Sequence, residues 1–229
     1  MLEQIGHEIW TVDGSMVEVL GFNYPTRMAV IRLADRRLFV WSCIPLLDEL
    51  RKEVDSLGKV AYIVAPNSLH HLSIPDWQKA YPDALVYAAP KLREKRKDIS
   101  FDQVLENTPN MEWAGEIDQV VIQGNLITSE VVFFHIPSGT VLFTDLVQQF
   151  PKDWFSGWRR MVAGLDLMLG SEPSVPRKFR MAFIKRRAAR ASLERVTAWP
   201  ARLVLMAHGE LITEDAKGFI GRAFRWLKV

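Results

Sequence analysis

Three apolar runs in this sequence end on side chains that can hold a metal ion. Val60 to Ala65 leads through Pro66-Asn67-Ser68-Leu69 to His70-His71, Val141 to Thr144 runs into Asp145, and Leu203 to Ala207 runs into His208-Gly209. Imidazole nitrogen and carboxylate oxygen are ligands that zinc, iron and manganese accept, so three imidazoles and one carboxylate form a candidate divalent site if the fold gathers them. Adjacent histidines diverge on any regular strand or helix, so His70 and His71 can share one ion only from a loop. The Pro-Asn-Ser-Leu lead-in supplies such a loop. The same residues admit a structural reading, in which His70 and His71 start a helix, Asp145 caps the next one and His208 is a hydrogen-bonded turn residue. Spacing alone leaves both readings open.

The elements that must position these residues follow from periodicity and turn chemistry. Glu8 to Val12, Met16 to Phe22, Arg27 to Leu33 and Arg37 to Trp41 are short β-rich runs separated by turn residues, and they predict an antiparallel meander. Pro45 fits a first helical turn, with Leu46, Leu47, Leu50 and Val54 on one face and Gly58 closing the helix. Apolar runs at Val60 to Ala65 and Ala84 to Ala88 then alternate with helical stretches at Pro75 to Tyr81 and after Pro90. Continuous apolar strands flanked by helices imply a covered sheet. A second meander is expected at Gln119 to Ile122, Glu130 to His135 and Thr140 to Thr144. Helices at Trp154 to Leu169 and Phe179 to Thr197, a strand at Arg202 to Ala207 and a helix from Glu214 to Leu227 follow it. The order reads as two similar halves, and in layered α/β folds the carboxyl ends of neighbouring strands converge on one crevice.

Composition excludes several classes. The 229 residues, 48% hydrophobic and 24% charged, are enough for a buried core, and no stretch approaches the ~18 uninterrupted apolar residues of a membrane helix. A single cysteine, Cys43, allows no internal disulfide and no cysteine-based zinc site, and fits a reducing cytoplasm; Met1-Leu2-Glu3-Gln4 does not read as a secretory signal. The net charge of +2 conceals an asymmetry, because Phe150 to Trp199 holds eleven Lys or Arg against four acids. That segment, with Trp154, Trp158 and Phe179 interleaved, is a candidate surface for phosphates, anionic lipid or an anionic substrate, although solvated helix faces explain such charge as well. No recognition motif accompanies it, so nucleic acid is not the expected partner.

At its candidate ligands the sequence resembles the metallo-β-lactamase-like superfamily, and more closely a domain of unknown function within it whose two-metal site is degenerate. The resemblance runs along nearly the whole chain and implies a single domain over 1–229, with a four-layer αβ/βα sandwich of two mixed β-sheets. The family signature His-x-His-x-Asp-His falls on Pro66-Asn67-Ser68-Leu69-His70-His71, so the first two ligand histidines become Pro66 and Ser68 and the aspartate becomes His70. The histidine of a Gly-His turn falls on Asn125, the bridging aspartate matches Asp145, and the histidine of Gly-His-Gly matches His208. Pro66, Ser68 and Asn125 thereby remove one metal position, whereas His70, His71, Asp145 and His208 all keep the ability to ligate at the other.

The resemblance implies one zinc, with iron or manganese as alternatives, or no metal at all. It implies either a mononuclear hydrolase of an ester, thioester or phosphoester, acting on a small-molecule substrate, or a catalytically inactive fold that binds an anionic partner. In the hydrolase reading His70 is either a ligand or the missing catalytic base, and cannot be both. His135 reads as a turn residue or a ligand-orienting one, Glu130 as a solvent-facing strand residue or a partner orienting a site histidine, and Cys43 as a small buried residue.

Overall fold

The structure, a computed structural model, describes residues 1–170 and 172–228. The chain opens with β1 (Glu3–Gly6), β2 (Ile9–Asp13), a hairpin of β3 (Val17–Val19) and β4 (Phe22–Tyr24), then β5 (Arg27–Arg32) and β6 (Arg37–Trp41). Helix α1 (Asp48–Leu57), β7 (Lys59–Ala65), α2 (Ile74–Ala80), β8 (Leu85–Ala88), the single turn α3 (Leu92–Lys95) and β9 (Gln103–Val104) follow. The second half runs β10 (Ile117–Val121), β11 (Val131–His135), β12 (Thr140–Phe143), α4 (Gly157–Leu165), α5 (Arg177–Ala182), α6 (Arg186–Ala198), β13 (Leu203–Met206) and α7 (Ala216–Phe224).

These strands form a seven-stranded sheet in the order β1-β2-β5-β6-β7-β8-β9 and a four-stranded sheet in the order β10-β11-β12-β13. Both are mixed: β2, β5 and β6 pair antiparallel while β6, β7, β8 and β9 run parallel, and β12 pairs antiparallel with β11 but parallel with β13. Alternation along each strand separates the layers, because successive side chains point to opposite faces. Ala29, Ile31, Phe39 and Trp41 of the first sheet meet Phe133, Leu142 and Leu205 of the second in one core between the sheets. Their neighbours Met28, Val30, Leu38 and Val40 face α1 and α2, and Val132, Val141, Val204 and Met206 face α5, α6 and α7. The result is the expected four-layer αβ/βα sandwich.

Several element boundaries differ from the sequence expectation. Met16 to Phe22 is not one strand of the meander: Leu20 and Gly21 take φ of +51° and +80° and fold the chain into a separate two-residue hairpin, with Val19 opposite Phe22. Phe179 to Thr197 is two helices, because the backbone at Phe183 and Ile184 leaves the helix to pair with Gly124 and Asn125. The helix expected over Trp154 to Leu169 is shorter, since Trp154 reaches back to the Asn23 carbonyl and Leu167, with φ of +62°, ends it. Pro45 lies before α1 rather than in its first turn. No helix among the described residues is long and apolar enough to cross a membrane.

Candidate metal centre

His70, Asp145 and His208 come together at the strand ends. His70 sits on the loop after β7, Asp145 two residues beyond β12 and His208 two residues beyond β13. One ligand atom from each lies within 4.8 Å of the others. His70 Nε2 is 3.2 Å from Asp145 Oδ2, and His208 Nε2 is 3.3 Å from Asp145 Oδ1. The parallel pairing of β12 with β13 brings Asp145 beside His208, and the closure of the two sheets brings His70 across from them.

The outer nitrogens of both rings are committed. His208 Nδ1 is 2.7 Å from the Pro25 carbonyl, which can only accept, so this nitrogen carries the proton. His70 Nδ1 is 2.7 Å from Ser42 Oγ, and the Ser42 hydroxyl donates its own proton to the Arg27 carbonyl at 3.0 Å. Ser42 must therefore accept from His70 Nδ1. Both neutral rings then turn an Nε2 lone pair toward the same carboxylate. Lone pairs and carboxylate oxygens repel unless each ring takes up a second proton or a cation stands among them. Donation of the outer N–H to a carbonyl or hydroxyl is also the arrangement that orients metal-binding histidines.

Asp145 is held from both sides. Asn67 Nδ2 donates to its Oδ2 at 2.6 Å and Gln148 Nε2 to its Oδ1 at 3.1 Å. Burial alone would raise this carboxyl, but the His70 and His208 rings, when each carries a second proton and donates it to Asp145, hold it well below the usual carboxylate range. Asn67 also donates to Thr144 Oγ1, and its Oδ1 accepts from the Leu69 and His70 amides, which fixes the bend that delivers His70. Glu130, fully buried rather than solvent-facing, accepts from the Thr144, Asp145 and Leu146 amides, each at 2.9 Å, and so anchors the backbone that carries Asp145. Burial, with the nearby Asp145 charge, pushes the Glu130 carboxyl up to about 7.

Sequence reasoning did not find Asn67, Ser42 or Gln148. Asn67 was legible only as a turn residue, and Ser42, at φ of +55° just past β6, carries no local signal at all.

His71 does not join the group. Its Nδ1 lies 2.6 Å from Arg96 Nη1, which can only donate, so the His71 proton resides on Nε2 and neither nitrogen offers a free lone pair. Burial, reinforced by the Arg96 and Lys95 charges, pushes this imidazole down to about 4. Asn125 is a turn residue: it donates to the Phe179 carbonyl at 3.1 Å and accepts from the Ile127 and Thr128 amides. His135, the last residue of β11, is buried within the sheet at its far end, its ring against Ser138, and Cys43 packs partly buried against the core under α1 and α2.

Aromatic side chains close one wall. Tyr24 meets His208 edge-on at 5.5 Å, and Phe150 lies nearly parallel to the same ring at 6.5 Å. Lys178 stands behind Tyr24, its ammonium 3.3 Å from the phenol oxygen and 3.4 Å from Asp166. Arg27 ties this wall to the His208 loop through the Met206 and Gly209 carbonyls.

Comparison with known proteins bears on the family and the fold. Residues 6–160 match the model of a family described as a domain of unknown function, DUF4336. No curated protein matches the sequence. Among solved structures, the DIM-1 metallo-β-lactamase superimposes with a TM-score of 0.68 at 16% identity, over 99% of this chain and 96% of that one. A metallo-β-lactamase from Pontibacter korlensis gives 0.64 at 11% identity, over 98% of each chain. The metallo-β-lactamase FIM-1 from Pseudomonas aeruginosa, solved in a mono-zinc form, gives 0.64 at 10% identity, over 100% of this chain and 96% of that one. At such identities the likeness establishes the metallo-β-lactamase fold.

Proposed function

The chain belongs to the DUF4336 family, and from the geometry at its strand ends we propose that it is a mononuclear metal protein, its ion held by His70, Asp145 and His208, acting as a hydrolase of an ester, thioester or phosphoester. The observation that carries this reading is the pair of outer hydrogen bonds, to Ser42 and to the Pro25 carbonyl, which leave both Nε2 lone pairs facing Asp145. Two nitrogens and one oxygen suit zinc, with iron or manganese as alternatives, and leave further positions for water or substrate. Such an ion polarises a carbonyl or phosphoryl oxygen and lowers the pKa of water.

The chain's own residues divide the remaining work. Ser42 and the Pro25 carbonyl orient the rings, Asn67 and Gln148 orient the carboxylate, and Tyr24 and Phe150 shield His208 from solvent. We assign His70 to the ligand set rather than to proton transfer, because its Nδ1 proton is tied to Ser42 and its Nε2 faces Asp145. The proposal leaves His71 outside the ligand set for the same kind of reason, its Nδ1 being engaged by Arg96. We also read residues 1–229 as one domain, since the three side chains come from loops of both sheets.

A second reading, a catalytically inactive binding fold, draws on the near-closure of the site: the side chains of His70, Asp145 and His208 are 11%, 8% and 5% accessible. Elemental analysis of protein purified without a metal-affinity tag and reloaded with zinc separates the two. The metal reading expects about one ion per chain in the wild type and none in His208→Ala, with both folded by circular dichroism. An unchanged stoichiometry in the variant, or no ion in the reloaded wild type, rejects the proposed site.

A further inference from the structure

Helix α4 is amphipathic, yet its apolar stripe faces away from the protein. Trp158, Met161, Val162 and Leu165 follow the i, i+3, i+4, i+7 spacing of one helix face, and three of the four are more than half exposed. Ala163, on the opposite side, is the one buried residue of the helix. Nine residues are too few for a helix to be stable in water without a packed face, so the exposed stripe is an unusual expenditure of apolar surface.

The β3–β4 hairpin extends the same surface. Leu20, 90% exposed, occupies its tip with φ of +51°, a conformation that a branched side chain adopts at a cost and that Asn or Gly fills readily in such turns. Arg159 donates to the Gly21 carbonyl at 2.6 Å, and Trp158 meets Phe22 edge-on at 5.6 Å, so hairpin and helix are joined. Arg159 and Arg160 flank the stripe and the helix itself carries no acid; Asp166, which directly follows it, is paired with Lys178 at 3.4 Å, Asp153 precedes it and Glu18 lies on the hairpin.

We propose that α4 and the β3–β4 tip form a docking face for an anionic lipid surface, with the apolar side chains entering the interface and the arginines meeting the head groups. Interfacial helices combine an apolar face bearing Trp and Leu with flanking Lys and Arg, and this face has that composition. Charge complementarity selects the occupant. In a two-fold dimer through α4 the arginines of one copy would face those of the other, whereas an anionic bilayer neutralises them. The inference is independent of the metal reading, because none of these side chains touches His70, Asp145 or His208.

Co-sedimentation with vesicles tests it, using the full chain with equal phosphatidylcholine and phosphatidylglycerol against phosphatidylcholine alone. The wild type should pellet with the anionic vesicles, release in high salt and stay in solution with the neutral ones. Met161→Asp should lower partitioning by at least about tenfold. Leu20→Asn should also lower it while keeping or raising the thermal midpoint, since Asn suits the turn; this variant keeps a folding defect from imitating the effect. Metal content should be the same in all three proteins. No association with anionic vesicles overturns the proposal, as does equal association of the variants. Self-association in sedimentation velocity that Met161→Asp abolishes, without vesicle binding, would instead make a second copy the occupant.

Discussion

Strands β10 and β12 run in the same direction in one sheet, and in the loop beyond each lies a position that the sequence resemblance aligns with a metal ligand of the superfamily, Asn125 and Asp145. The two have opposite surroundings. Asn125 spends its amide on backbone, donating to Phe179 and accepting from Ile127 and Thr128, and Ser68, at another such position, lies 3.4 Å from Thr128 Oγ1. Pro66, at a third, contributes a carbonyl to the Val131 amide. Asp145 instead faces two imidazole nitrogens whose outer protons are already committed. Strand-end loops must satisfy their backbone groups in either case. On the Asn125 side the ligand positions themselves do so, while on the Asp145 side Asn67 and Glu130 take over that duty and leave the centre free.

The largest test of this contrast is Glu130→Gln. Glu130 Oε1 accepts from the Thr144 amide and Oε2 from the Asp145 and Leu146 amides; Gln keeps one oxygen and sets an N–H₂ group in place of the other, so at least one amide meets a donor, and no solvent reaches the site to compensate. A loss of about 3 kcal/mol is expected in urea unfolding, within the range for breaking a buried charged network, together with loss of zinc binding. A variant of unchanged stability and metal content would break the comparison, because the backbone around Asp145 would then hold itself.

A smaller effect sharpens it. Asn67→Ala removes the donor to Asp145 and the acceptor for the Leu69 and His70 amides, and should weaken zinc by about 10–100-fold, as for other residues that orient ligands. Asn125→Ala should cost roughly 1–2 kcal/mol of stability through its lost backbone bonds and leave zinc affinity unchanged. Competition with a chelator gives the affinities and urea midpoints give the stabilities. The reverse pattern would mean that the metal, if bound, sits on the Asn125 side.

How much of this was legible in the sequence depended on the range of the cause. The strands could be read because apolar, β-rich runs bounded by turn residues, as at β5, β6 and β11, are local properties, whereas their assembly into a four-layer sandwich was implied by the resemblance. The ends of the strands could be read for the same reason, and with them His70, Asp145 and His208. The break at Phe183 could not, since it depends on pairing with Asn125, nearly sixty positions away. His70 and His71 are indistinguishable by type; only Ser42 and Arg96, contributed by distant elements, give them opposite tautomers. The outward direction of the α4 stripe was not legible either, since an amphipathic pattern in sequence does not say which face is covered.

Ser42 is the smallest lever and the most selective. Its Oγ touches no proposed ligand atom; it accepts the Nδ1 proton of His70 and passes its own to the Arg27 carbonyl. Ser42→Ala keeps the backbone at φ of +55° with the same Cβ, so the cost of that conformation is common to both proteins. What disappears is the acceptor that fixes the His70 tautomer, and the ring becomes free to place its proton on Nε2, where it competes with the ion. Zinc affinity should fall about tenfold, at the low end of what orienting partners contribute, with the urea midpoint changed by far less than in Glu130→Gln. A loss as complete as that of His208→Ala would show that the ring cannot find its orientation from Asp145 at all. No change would show that Asp145 and the ion orient it alone, and the tautomer argument for the centre would then rest on the Pro25 carbonyl and His208.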